Sequence, residues 1–360
     1  MTNPTKRRWD HLSPDRLIIV LLIVQGFLFL SERFQWFAFN EKKGWTVLIA
    51  VAAVCLLVVV MVLWLVVSLL FRWRFQFSLR SLGLLVVAVA IPCCWLTVKM
   101  REAERQRKAV EAIRKAGGYL FYDYELARQE PPGTAWVRGL AAEDFFANVV
   151  HVRYLHRSRR MEIDDAVLLE HIKALTKLER LDVYGTEITD AGLEHLSGLG
   201  RLRSLDVSST QITDAGLEHL SGLTLTNLWL NDTQVTDGGL HHLKGLTGLE
   251  RLWFSGTQLR DTGLENVKPL TRLRSLGLPD THVTDAGLDH LKGLTNLVCL
   301  DLSGTHVTDA GLECLSALTK LKVLYLDGTH VTSQGIKELQ EALPNCRIDW
   351  SPPNNPQDHP

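Results

Sequence analysis

From residue 175 onward, leucines recur at fixed intervals and polar residues fill the positions between them. Six repeat units are 24 residues long and the third is 23, with starts at Leu175, Leu199, Leu223, Leu246, Leu270, Leu294 and Leu318. The shared pattern is L-x-x-L-x-x-L-x-L-x-x-T-x-[IVL]-T-D-x-G-L-x-x-L-x-x. A fixed period of this length indicates a solenoid in which each unit stacks on the next.

Each unit predicts one short strand followed by one short helix. In "LERLDVYGT" (178–186), Leu181 and Val183 alternate with polar residues, which is typical of a strand with one buried face. In "DAGLEHL" (190–196), the leucines have helical spacing. Stacked units therefore predict an α/β solenoid, with a parallel sheet on the concave side and short helices on the convex side.

The repeat region is expected to extend over residues 149–350. Residues 149–174 form an irregular first unit, seven units run from 175 to 341, and "ALPNCRIDW" (342–350) is a truncated last one. The Pro- and Asn-rich residues 351–360 are expected to be a disordered tail.

The L-x-x-L-x-L core of each unit resembles that of leucine-rich repeat proteins. The second half, T-x-[IV]-T-D-x-G-L-x-x-L, is similar to the repeats of F-box substrate receptors, although no F-box precedes it here. "FSLRSLGLLVVAVA" and "AIRKAGGYLFYDYE" resemble bacterial multi-span membrane proteins that carry a C-terminal leucine-rich repeat domain. The resemblance implies a leucine-rich repeat solenoid that follows an α-helical transmembrane region.

The N-terminal residues 1–98 are predicted to be a membrane region. Residues 44–71 are 28 consecutive positions without a formal charge, and about 20 such residues cross a bilayer as a helix. Two or three transmembrane helices are expected, at about 17–38, 45–71 and 80–98. The first stretch has an alternative interpretation as the apolar core of a secretory signal, but no small-residue cleavage site follows it.

Residues 99–148 are expected to form a juxtamembrane helix and a module that caps the repeats. A multi-pass location in the cell membrane follows from the predicted spans. Basic residues near the span ends number seven on one side and eight on the other, so they do not orient the chain. The first helix favours an extracytoplasmic solenoid, whereas unpaired cysteines favour a reducing compartment, and the side stays open.

Composition argues against several functional classes. The 39 Lys and Arg residues balance the 40 Asp and Glu residues, which leaves no basic surface for nucleic acid. The cysteines form neither a disulfide framework nor a CxxC metal pattern, and no nucleophile elbow, phosphate loop or HExxH string occurs. We therefore expect no catalytic residues, no metal site and no cofactor, and predict that the chain is not an enzyme.

Three columns of polar residues recur in the units. One Asp column precedes each predicted helix, and we interpret it as helix caps rather than as a cation or acid–base site: Asp190, Asp214, Asp237, Asp261, Asp285 and Asp309. A Thr column running from Thr186 to Thr329 is expected to bond the turn backbone between neighbouring units. His282, His306 and His330 form the third column, with surface polarity and metal binding as the alternatives.

The concave face is the predicted binding surface for an unidentified protein or peptide. Trp229 and Trp253 are expected side by side on adjacent strands, and exposed Trp next to Arg is typical of interface hot spots. The candidate binding residues are Arg180, Tyr184, Asn227, Trp229, Asn231, Arg251, Trp253 and Tyr325. The predicted function is a membrane-anchored protein-binding scaffold in contact with the lipid bilayer through its N-terminal helices. The alternatives are a structural spacer or self-association module without a ligand and, third, an enzyme.

Overall fold

The computed structural model describes residues 79–128, 147–154 and 171–352. The chain divides into two compact units. The first comprises Met1–Arg107 with Asp123–Asn148, and the second comprises Lys108–Tyr122 with Val149–Pro360. The domain boundaries expected after residues 98 and 148 stay predictions, and most of the predicted tail lies outside the described residues.

The described part of the first unit contains most of one long helix and one short helix. Helix α1 spans Leu79–Lys115, with its last residues in the second unit, and α2 spans Asp123–Leu126. The Gln106 amide donates a 2.9 Å hydrogen bond to the Ala147 carbonyl. The Asn148 amide donates a 3.1 Å hydrogen bond to the Asp123 carboxylate. Both bonds join helical residues to the two residues that precede the strand Val149–Tyr154.

The predicted membrane spans receive no support from the described residues. The spans expected at about 17–38 and 45–71 lie outside them, and the one expected at about 80–98 falls within α1. Across residues 79–128, 147–154 and 171–352, no helix is both long and apolar enough to cross a bilayer.

The second unit is built on a sheet whose ten strands lie side by side in chain order. β1 and β2 pair antiparallel, and all later pairs are parallel. The strands are β1 (Gly118–Tyr122), β2 (Val149–Tyr154), β3 (Arg180–Asp182), β4 (Ser204–Asp206), β5 (Asn227–Trp229), β6 (Arg251–Trp253), β7 (Ser275–Gly277), β8 (Cys299–Asp301), β9 (Val323–Tyr325) and β10 (Arg347–Asp349).

One short helical segment follows each strand of the repeats. The α-helices are α3 (Asp190–Glu194), α4 (Asp214–Glu218), α5 (Asp261–Leu264), α6 (Asp285–Leu288), α7 (Asp309–Leu312) and α8 (Ser333–Ala342). Short 3-10 helices follow α5, α6 and α7 at Glu265–Val267, Asp289–Leu291 and Glu313–Ala317. The third unit has only a 3-10 helix, Gly239–Gly245, in line with the low helix propensity of its Gly238–Gly239 pair.

The repeat leucines form one continuous core along the stack. Leu205, Leu228, Leu252, Leu276 and Leu300, the central residues of successive strands, are all 0% exposed. Burial of each such side chain stabilises the fold by about 1.5–3 kcal/mol. The predicted solenoid of parallel strands and short helices is confirmed.

The Asp column corrects our capping interpretation, because each carboxylate bonds the next unit rather than its own helix. Asp190 Oδ1 accepts a 2.8 Å bond from the Thr213 N–H, and Oδ2 accepts a 2.6 Å bond from the Thr213 hydroxyl. The same paired bonds join Asp214 to Thr236, Asp261 to Thr284, Asp285 to Thr308 and Asp309 to Thr332. The Thr hydroxyl in turn caps the helix, as when Thr213 Oγ1 accepts from the Ala215 N–H.

The conserved spacing T-D-x-G within the repeats follows from this bridge. A Cβ atom on Gly216 would lie 2.4 Å from Asp190 Oδ1. The later glycines of the motif would meet the preceding carboxylate at 2.1–2.6 Å in the same way: Gly239, Gly263, Gly287, Gly311 and Gly335. The glycine therefore makes room for the Asp of the preceding unit.

The Thr column bonds within its own unit, not between neighbours as expected. Each hydroxyl donates to the carbonyl three residues earlier, for example from Thr210 to Val207 at 2.5 Å and from Thr257 to Phe254 at 2.8 Å. These side chains are at most 9% exposed, so the bond satisfies a buried hydroxyl and closes the turn after each strand.

Candidate functional site

The candidate site is the concave face, which we define as the strand residues that alternate with the buried leucines. The strand register aligns one such residue from each of nine strands into a row. We call this the central row: Arg153, Asp182, Asp206, Trp229, Trp253, Gly277, Asp301, Tyr325 and Asp349. Because successive strands are about 4.8 Å apart, neighbours in the row are close enough to share one ligand group.

The two indoles occupy the middle of this row. Trp229 on β5 is the register partner of Trp253 on β6, and both side chains are half-buried. The structure thus places them side by side on adjacent strands, where part of each ring reaches solvent. On one side of the pair, Trp229 is next to the acidic Asp206. On the other side, Trp253 is next to Gly277, which has no side chain.

Trp253 packs on Gly277, a residue of the concave face that was not among the predicted binding residues. A Cβ atom on Gly277 would lie 2.0 Å from Trp253 Cε3 and 2.5 and 2.6 Å from Cδ2 and Cζ3. Cδ2 and Cζ3 are the ring neighbours of Cε3, and an edge-on approach would place them much farther away. The indole therefore lies with its face on Gly277. The sequence contained one indication of this contact: Gly277 is the single residue of the central row that has no side chain.

Of the other predicted binding residues, most are at least partly exposed, and one has a structural role. Arg180 and Arg251 are exposed, and Asn227 is half-buried, at the first positions of their strands. Tyr184 is 47% exposed in the turn after β3. Asn231 is half-buried, and its side-chain oxygen accepts a 2.8 Å bond from the Ser255 N–H of the next unit. The Asn231 carbonyl thus supports the stack.

Tyr325 lies outside the Trp pair but within the central row. It is half-buried and its register partners are Asp301 on β8 and Asp349 on β10. The Asp349 carboxylate pairs with Arg347 at 3.0 Å. This end of the row therefore combines one phenol with two carboxylates, of which one is engaged by an arginine of its own strand.

The N-terminal end of the concave face is charged. Arg153 forms a 2.8 Å ion pair with Asp182 on the adjacent strand. Burial, together with the Arg153 and Arg180 charges, lowers the pKa of His151 below its usual value, and its ring stacks on Phe121 at 5.0 Å. An imidazole in this setting is neutral near pH 7.

Asp206 has a different environment from Asp182, although the two are register partners. Burial raises the pKa of Asp206 above its usual value, and the negative charge of Asp182 adds to this effect. The hydrogen bonds from the Ser208 hydroxyl and N–H oppose it by stabilising the carboxylate. Asp206 is thus a carboxylate that gains from an added cation.

The three histidines of the last units form an exposed column on the turn side. Ring centroids are 6.2 Å apart for His282 and His306, and 5.9 Å apart for His306 and His330, in edge-to-face arrangements. Among the residues that the structure describes, no group of three His, Cys, Asp or Glu side chains has a metal-binding arrangement.

The comparisons with known proteins concern the repeats. The family model described as Leucine Rich repeat matches residues 174–197, 202–221 and 293–316, so the chain contains leucine-rich repeats. No curated protein matches the chain. The match to the leucine-rich repeat family model supports neither the F-box type of repeat nor the resemblance to membrane proteins.

Solved structures with similar folds include two internalins. Internalin C2 from Listeria monocytogenes is 24% identical with a TM-score of 0.41, and the match covers 51% of this chain and 75% of that one. A second Listeria monocytogenes internalin is 22% identical with a TM-score of 0.40, over 51% and 59%. A leucine-rich repeat protein from Leptospira interrogans is 17% identical with a TM-score of 0.38, over 50% and 56%. The chain thus spans less than two thirds of the latter two.

Proposed function

We propose that the chain is a non-enzymatic scaffold that binds a protein or peptide on its concave face. The observation that supports this most directly is the register pair of partly exposed indoles, Trp229 and Trp253, on a sheet face whose other outward residues are mostly polar. Solenoids offer extended concave surfaces to partners. Trp is also the residue type most enriched among the few side chains that carry binding energy.

Within the same proposal, the N-terminal region anchors this scaffold to a membrane. The support comes from the sequence, where residues 44–71 form an uncharged run of 28 positions. Exposed aromatic side chains on a tethered solenoid suit capture of a partner at the same membrane, because tethering raises the effective concentration of both molecules.

The binding role predicts that combined Trp229→Ala and Trp253→Ala substitutions abolish partner capture. The full-length chain would be cross-linked and purified from its native membranes, and the recovered partners identified by mass spectrometry. Truncation of a hot-spot Trp costs about 2 kcal/mol or more, so we expect recovery of the specific partner to fall by at least about thirtyfold.

Trp350→Ala is the matched control, because it removes an indole that lies outside the central row. It should leave partner recovery unchanged, while thermal unfolding checks that each variant is folded. Unchanged recovery by the folded double variant would contradict the proposal and favour the spacer or self-association role.

A further inference from the structure

We propose that the concave face recognises a basic peptide segment, and that an arginine or lysine side chain of this ligand stacks on the outer face of Trp253 beside Asp301. This inference rests on the proposed binding function and specifies its ligand chemistry. Three features of the central row carry it. They are the orientation of one indole, the glycine beneath that indole, and two carboxylates, one at each end of the aromatic segment, that form no ion pair among the described residues.

The orientation of Trp253 creates a platform. Its inner face covers Gly277, as the 2.0 Å approach of Cε3 to the Cβ position of that glycine shows. The outer face is consequently directed away from the sheet, and the side chain is only half-buried. The face of an indole carries negative electrostatic potential, so the group that binds it best from solvent is a cation.

The carboxylates lie where they would neutralise such a cation. Asp301 on β8 is the register partner of Gly277, which places it one strand, or about 4.8 Å, beyond the platform. Asp206 is the register partner of Trp229 at the opposite end of the indole pair. The aromatic segment is therefore bounded by one carboxylate on each side.

These two carboxylates differ from the others in the central row. Asp182 and Asp349 form ion pairs with Arg153 and Arg347, whereas Asp206 and Asp301 form no ion pair with any residue in the described part of the chain. The Ser303 N–H donates a 3.0 Å bond to Asp301 Oδ1, which fixes the direction of the carboxylate. Carboxylates without an ion-pair partner among the described residues, placed next to an indole face, thus select a basic side chain over an acidic one.

Arg251 makes the arrangement directional. It lies two residues before Trp253 on the same sheet face and is exposed. Its charge repels a cation from that side of the platform and favours the side of Asp301, while its N–H groups suit the carbonyl oxygens of a peptide backbone. Trp253 and Asp301 therefore bind the basic side chain of the peptide ligand, and Arg251 contacts the main chain of that ligand.

The test compares two peptides that differ only in charge. The probes are acetyl-Gly-Ser-Arg-Ser-Gly-amide and the same peptide with neutral citrulline in place of arginine. The full-length chain, labelled with fluorotryptophan and held in detergent micelles, is titrated by fluorine NMR, and Trp253→Phe assigns the Trp253 resonance. We expect saturable shifts of this resonance and about three- to thirtyfold tighter binding of the arginine peptide, the range of cation–π interactions at exposed to desolvated sites.

Three variants locate the effect. Asp301→Asn should bring the affinity for the arginine peptide towards that for the citrulline peptide. Gly277→Ala should weaken binding of the arginine peptide without removing a charge or an indole, because the new Cβ atom displaces the Trp253 ring. Asp327→Asn, which removes an exposed carboxylate outside the central row, should leave the affinity unchanged. Thermal unfolding confirms that each variant is folded.

Each failure has a separate meaning. Equal binding of both peptides, or a Trp253 resonance that neither peptide shifts, overturns the proposed ligand chemistry. The broader scaffold proposal then still stands if the Trp229→Ala, Trp253→Ala variant loses its partner in native membranes. If that variant keeps its partner, the binding function itself is wrong.

Discussion

Single aspartates in equivalent repeat units have different electrostatic roles because their surroundings differ. Asp190 uses both oxygens to bond Thr213 of the next unit, so its charge is matched by donors. Asp206 lies half-buried beside the Asp182 charge, and burial raises its pKa in spite of the bonds from Ser208. Ionised Asp206 therefore opposes folding, whereas the bridging Asp190 supports it.

Asp206→Asn should stabilise the fold in a pH-dependent way. The pKa of Asp206 in the folded state lies above its usual value because the side chain is half-buried, so the ionised form costs stability at neutral pH. This cost is lost as the pH falls through the folded pKa, and it is gone well below the unfolded pKa of about 3.9, where the carboxyl is protonated in both states. We therefore expect a higher melting temperature for Asp206→Asn at pH 7 and little difference at about pH 3.

The measurement is thermal unfolding of the full-length chain across this pH range. Asp327→Asn is the control, since it makes the same exchange at an exposed position outside the central row. A melting temperature at pH 7 that is lower for Asp206→Asn than for the natural chain would contradict the assignment.

At the scale of elements, the T-D-x-G segments couple each helix to the next. The Asp285 carboxylate accepts from the Thr308 N–H at 2.7 Å and from the Thr308 hydroxyl at 2.6 Å. Gly311 supplies the space, because a Cβ atom there would lie 2.3 Å from Asp285 Oδ1. The helices α6 and α7 are therefore joined by complementary polar and steric features that only operate together.

Gly311→Ala and Asp285→Ala should show strong non-additivity. Gly311→Ala alone introduces a clash that costs about 1–3 kcal/mol. Asp285→Ala alone removes two charge-assisted bonds and leaves the Thr308 donors without their acceptor, a loss of about 1.5–3 kcal/mol. In the double variant the clash with the carboxylate is gone, only the 3.0 Å approach to Leu288 Cδ1 remains, and alanine favours the helix. The combined loss should therefore be at least about 1 kcal/mol smaller than the sum.

A double-mutant cycle from denaturant unfolding measures this coupling. Gly293→Ala is the matched control, since a Cβ atom at Gly293 would have no neighbour within 4 Å. It should be close to neutral both alone and together with Asp285→Ala. Fully additive losses for Gly311→Ala and Asp285→Ala would show that the bridge and the glycine are independent.

At the scale of the whole molecule, the chain combines a stacked repeat region with an apolar N-terminal sequence. The repeats depend on their neighbours, because a three-residue strand and a single helical turn cannot bury their leucines alone. The proposed anchor depends instead on the bilayer, because the 28 uncharged residues at 44–71 would otherwise face water.

The anchoring proposal predicts that the full-length chain stays with membranes during alkaline carbonate extraction. Val58→Lys combined with Val62→Lys places two charges near the middle of the uncharged run, and each costs about 2.5–3.5 kcal/mol at the centre of a membrane helix. We therefore expect a larger extractable fraction for this variant. The control, Val58→Leu with Val62→Leu, keeps the run apolar and should behave as the natural chain, whereas complete extraction of the natural chain would contradict anchoring.

The repeat period made the fold of residues 175–341 accessible from the sequence. The units have nearly the same length, so neighbours in the stack are also known from the sequence, one period apart. This is why the adjacency of Trp229 and Trp253 followed from spacing alone. The hydrophobic pattern of all the units together determines this fold, so the prediction does not depend on the details of any single contact.

Tertiary structure alone decided what the polar side chains do. The spacing within one unit made Asp190 look like a cap, and only the stack shows that its carboxylate reaches Thr213 of the next unit. Likewise, only the stack shows that the Asn231 oxygen serves a neighbouring N–H and that Trp253 lies on Gly277. Hydrogen bonds and ring contacts depend on distances of a few tenths of an ångström between atoms of different units, and a sequence pattern does not contain those distances.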